Sequence, residues 1–75
     1  MVVEGKVSSK RVIKNPTGRE RMVFKLFNQE GEVKCLAEGR LACIINHIPL
    51  WSMIRVESLK EYKPGVALAS AIDRI

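Results

Sequence analysis

The chain has 75 residues, of which 47% are hydrophobic and 28% charged, and its net charge is +5. That length suits one small domain spanning 1–75, leaves no room for a second, and disfavours an enzyme with a deep enclosed pocket. The composition is globular rather than disordered, no apolar run approaches the ~18–20 residues that span a bilayer, and the Met1–Lys6 start lacks the basic-then-apolar pattern of an export signal.

The first predicted element is a strand with Val3, Gly5 and Val7 on one face. Glycine inside a strand marks a bend or bulge. Strand character continues to Val12 and Ile13, so this strand must curve to stay within a small domain. Asn15-Pro16-Thr17-Gly18 is a turn, because proline sets φ and glycine accepts positive φ. Period-two alternation then resumes. Met22, Phe24 and Leu26 alternate with Val23, Lys25 and Phe27, and after the turn Asn28–Gly31, Val33, Cys35 and Ala37 alternate with Glu32, Lys34 and Leu36. Lys25 and Lys34 cannot be buried unpaired, so Met22, Phe24, Leu26, Val33, Cys35 and Ala37 face the core. Phe27 and Leu36 are thereby expected on the outer face.

Between Glu38 and Ile48 the spacing changes to that of a helix, with a stripe of Leu41, Ile44, Ile45 and Ile48 that Pro49 ends. Ile54 and Val56 alternate with Met53, Arg55 and Glu57 in a fourth strand. Lys63-Pro64-Gly65 turns the chain into a fifth, Val66 to Ile75, read as a strand despite its alanines. The order strand, strand, strand, helix, strand, strand predicts an all-β fold, a small five-stranded barrel plugged by one helix.

The charge is unevenly placed. Residues 1–27 hold seven Lys or Arg against two Glu, whereas residues 28–75 hold six of each sign. A localised basic surface attracts polyanions, of which nucleic acid is the commonest in a cytoplasm. Two cysteines and no export signal make the reducing cytoplasm the expected location.

This element order resembles the OB-fold nucleic-acid-binding domains, in particular the tRNA-anticodon-binding and replication-protein single-strand-binding types. The residues that carry the resemblance are Val3-Glu4-Gly5-Lys6-Val7, the basic loop after it, the hairpin from Phe24-Lys25-Leu26-Phe27-Asn28 through Gly31 to Val33-Lys34-Cys35, the helix Leu41–Ile48, and Met53 to Ser58. Two positions depart from the pattern. Trp51-Ser52 stands where the family has glycine followed by an acid, and Asn28 stands where many relatives carry Asp. The resemblance implies binding of single strands across the outer face of strands two and three, flanked by the loops after strands one and four.

On that reading Lys10, Arg11, Lys14, Arg19 and Arg21 are phosphate ligands, unless the loop is merely solvated. Lys25 and Lys34 flank Phe27, an aromatic that stacks on a base unless a loop covers it. Lys60, Tyr62 and Lys63 approach from the last loop, where Tyr62 either meets the strand or makes a cross-strand contact. Trp51 is expected to close the barrel beside the helix. Cys35, Cys43 and His47 lack a fourth ligand for structural zinc. The one histidine has no partner that would make it catalytic, so neither an enzyme nor a cofactor is expected. The expected function is sequence-independent binding of single-stranded DNA, in preference to RNA, with no membrane partner. The alternative is a protein-interaction subunit or adaptor in a replication, repair or translation complex, or a homodimer, using outward Val23, Leu36, Met53 and Leu59.

Overall fold

The computed structural model describes residues 1–14 and 20–75. Its elements are β1 (Val2–Lys14), β2 (Glu20–Asn28), β3 (Gly31–Glu38), α1 (Arg40–His47), β4 (Met53–Lys63) and β5 (Val66–Arg74). The strands close a barrel in the order β1-β2-β3-β5-β4, with β4 returning to β1. Only β3 and β5 run parallel. This is the five-stranded barrel with a helix between its third and fourth strands that the alternation predicted, and it is compatible with an OB-fold. The turn at Asn15-Pro16-Thr17-Gly18, and Arg19, lie outside the described residues.

β1 serves two neighbours. Val2–Lys6 pair with β4, and Lys6–Lys14 pair with β2. The change of partner falls at Lys6, and beside it Gly5 lets the β1 and β2 backbones approach closely. A Cβ there would lie 2.8 Å from the Phe27 carbonyl oxygen and 3.2 Å from the Leu26 Cβ. Two residues further on, the ladder to β2 slips between Val7 and Ser9, leaving Ser8 as the extra residue. A one-residue slip turns every later side chain to the other face. Val7 still points inward opposite Leu26, but beyond the bulge Lys10 lies opposite Phe24, and Val12 opposite Met22.

The core is built from the predicted inner faces. Val7, Phe24, Leu26, Cys35, Ala37, Ile54 and Val56 are buried, and α1 caps them with Ala42, Ile45 and Ile48. Ile44, expected on the helix stripe, is half exposed at the surface, and Ala42 takes the inward place. Lys10 holds the plug. Its ammonium donates to the carbonyls of Ile48 at 2.7 Å, Asn46 at 3.2 Å and Ile45 at 3.5 Å. These carbonyls end the helix, where partial negative charge accumulates and a cation is stabilising.

Two further expectations are corrected. Trp51 does not close the barrel; it is 61% exposed. Leu36 is on the outer face as expected, yet it is buried. The adaptor patch does not assemble as one surface either. Val23 and Leu36 are cross-strand partners, but Met53 pairs with Lys6 on the far side of β1, and Leu59 stands alone on β4.

Candidate nucleic-acid interface

Directly paired residues share a face of a sheet, so the registers place each side chain. With Phe24 and Leu26 inside, Arg21, Val23, Lys25 and Phe27 point out. One outer row runs Arg11, Val23, Leu36, Leu68, Lys60 across β1, β2, β3, β5 and β4. The next runs Ser9, Lys25, Lys34, Val66, Lys63. Arg21 lies between Ile13 and Glu38, and Phe27 between Lys6 and Glu32. The centre of this face is apolar, and Arg11, Lys25, Lys34, Lys60 and Lys63 rim it. Among the described residues, none of these five cations is in an ion pair.

The centre is partly roofed. Arg21 from β2 reaches Tyr62 from β4, donating from Nη1 to the phenol oxygen at 3.1 Å. Its guanidinium also lies 5.7 Å from the ring centroid, within cation–π range. The two strands are not ladder partners, and β4 meets β1 only from Met53 to Glu57, so at Tyr62 the contact reaches across the outer face on the β3 and β5 side. Val23 and Leu68 flank Leu36 in register beneath it, which accounts for the burial of Leu36. Arg21 also forms an ion pair with Glu38, Nε to Oε2 2.9 Å, without hydrogen-bond alignment. Its charge is therefore partly neutralised, unlike that of the five rim cations.

Phe27 remains half exposed, at 51%. Lys25 precedes it by two residues on the same face, and Lys6 pairs with it from β1. Beside it lies an open hollow of about 1020 Å³, lined by Lys6, Phe27, Asn28, Val33 and Met53 among others. Glu32, the acid across from Phe27, accepts a hydrogen bond from Ser8 Oγ at 3.2 Å.

The basic residues read from the first third of the chain thus separate. Arg11, Arg21 and Lys25 share the outer face with Phe27, Lys34, Lys60, Tyr62 and Lys63. Lys14 pairs with Glu20 on the same side as Lys10, at the exposed end of β1, and Lys10 is committed to the helix. Arg19 lies outside the described residues. Sequence reasoning missed Lys6, although its parity against Val7 already put it outside, and it missed the exposure of Trp51.

Cys35 and Cys43 do not meet. Cys35 is inside the barrel, where burial pushes its thiol up to about 11, and Cys43 is on the surface of α1 with His47 Nδ1 2.8 Å from its carbonyl oxygen. Among the described residues no group of three or more His, Cys, Asp or Glu is placed to hold a metal, and no helix is long and apolar enough to cross a membrane. No protein-family model matches the chain, and no curated protein does.

Proposed function

We propose that this barrel binds single-stranded nucleic acid along the outer face of β2 and β3, without marked sequence preference. The observation that carries the reading is the ring of Arg11, Lys25, Lys34, Lys60 and Lys63, without ion pairs among the described residues, beside the exposed ring of Phe27. Phosphates neutralise such cations and release counterions, and bases stack on an aromatic face whatever their identity. Arg21 and Tyr62 stand over the middle of the path as a bridge that a bound base can use as an edge. DNA is favoured over RNA on the resemblance to replication-type domains alone, since no residue is set apart here as a reader of the 2′-hydroxyl.

The test is a fluorescence-anisotropy titration of labelled oligo-dT, oligo-rU and a duplex across a salt series. Single strands bind more tightly than duplex, and log K falls with log salt by about 0.7 for each phosphate contacted. Phe27→Ala weakens every single strand by about 1–3 kcal/mol. Equal binding of duplex and single strand would refute the stacking path and leave only a basic surface. No binding at low salt would remove the proposal entirely.

A further inference from the structure

The start of β4 is built around an unusual residue. Val7 donates its N–H to the Ser52 carbonyl at 3.0 Å, and the Trp51 N–H donates to the Val7 carbonyl at 2.7 Å. Trp51 and Ser52 therefore both face Val7, which makes a β-bulge whose first residue is Trp51. That residue has φ 71°, the one positive φ outside glycine among the described residues. A bulge of this type takes glycine at its first position, because a Cβ there crowds the backbone. Tryptophan is among the least suited side chains for it. The fold recovers little in return, since the indole is 61% exposed rather than packed. Backbone strain that the core does not repay is characteristic of binding surfaces, and bulges serve there to re-aim a side chain.

The backbone registers beside this bulge lead back to the outer face already described. Lys6 pairs with Phe27 on one side and with Met53 on the other. Trp51 is held to the neighbouring Val7, so Phe27 and Trp51 flank β1 from opposite sides, about 10 Å apart by two strand spacings. Phe27 and Met53 are both exposed. Of the acids nearby, Glu4 pairs with Arg55 at 2.8 Å and Glu32 accepts from Ser8 while keeping its charge, and Glu30 lines the hollow beside Phe27. On the strand that separates the two rings, the charge is the Lys6 ammonium. Two exposed aromatics with a cation between them suit alternating bases and phosphate, and this surface is continuous with the basic rim through Phe27 and Lys25.

We infer that Trp51 is a second stacking platform, which carries a bound single strand from Phe27 across β1 at Lys6 and away from the β2–β3 face. The inference rests on the single-strand reading above and adds a direction and a length to the path.

Trp51 is the sole tryptophan, so its emission reports this contact and no other. Oligo-dT is titrated against the full chain with two readouts, anisotropy of a labelled strand and quenching of the indole. Both saturate together, Trp51→Gly weakens binding about 5-fold or more, and Trp51→Phe restores most of the loss. Trp51→Gly also serves as the folding control, because glycine fits the bulge and its melting temperature does not fall below that of the parent. Anisotropy that saturates without quenching, together with an unchanged affinity of Trp51→Gly, overturns the inference and leaves the β2–β3 reading standing. No change in anisotropy at low salt overturns both. Self-association that Trp51→Gly abolishes, with oligo-dT affinity intact, assigns the patch to a second copy of the chain and overturns the inference as well.

Discussion

Replacing Lys10 by Met separates two roles for one cation. Methionine keeps most of the aliphatic stem and removes the ammonium. The structure gives that ammonium three carbonyl acceptors at the end of α1, two of them within 3.2 Å. Hydrogen bonds to a charged group contribute about 1.5–3 kcal/mol net, and a cation at a helix C-terminus adds about 0.3–1 kcal/mol. Lys10 is half-buried, so solvent screens part of this, and the expected loss is about 2 kcal/mol. For a domain of this size that lowers the melting temperature by about 10 °C. Urea unfolding measures it directly, with the midpoint falling and the slope unchanged because the same surface is exposed. The salt dependence of oligo-dT binding, measured well below the transition, stays as it was. The opposite pattern refutes the reasoning: an unchanged urea midpoint with a salt slope reduced by about 0.7 makes Lys10 a phosphate ligand.

Gly5→Ala forces a Cβ to within 2.8 Å of the Phe27 carbonyl, and chemical denaturation shows a loss of about 2–3 kcal/mol, a backbone clash that no rotamer relieves. Burial raises the Cys35 thiol from 9.0 to about 11. The unfolded chain therefore releases this proton first, and stability, intact below pH 9, falls as pH rises from about 9 to 11. The fall is about 2–3 kcal/mol, and Cys35→Ala removes this pH dependence from urea midpoints. A thiol reagent at neutral pH modifies exposed Cys43 and spares Cys35 until the barrel unfolds, as peptide mass mapping reads out. Glu4→Gln shifts the melting midpoint by less than about 0.5 kcal/mol equivalent, because the ion pair with Arg55 is largely in solvent.

The fold was largely legible because alternation and charge agree. Lys25 and Lys34 mark the outer face of β2 and β3, and the same parity places Phe24, Leu26, Cys35 and Ala37 inside. Leu41, Ile45 and Ile48 mark the plug by helical spacing. What escaped were features set by distant strands. Counting by twos from Val7 puts Lys10 outside, and only the extra residue at Ser8 turns it toward the helix. Leu36 reads as exposed from its own strand, and is buried where Val23 of β2 and Leu68 of β5 flank it in register. Trp51 reads as core from its size, while its surroundings are decided by a bulge that nothing in its neighbours signals. The departure from the expected glycine-acid pair at Trp51-Ser52 was the one trace of it in the sequence.

The barrel is closed by two unequal seams. β1, β2 and β3 form a continuous meander and β4 and β5 a hairpin, and these halves meet through five residue pairs between β1 and β4 and three between β3 and β5. Both seams join residues far apart in sequence, so their closure carries the largest loop-closure entropy in the fold. The Arg21–Tyr62 bridge spans one seam, and a strand running from Phe27 to Trp51 would cross the other. A ligand on these surfaces would act as a staple between the halves, and its binding energy would be felt as resistance to the barrel's opening.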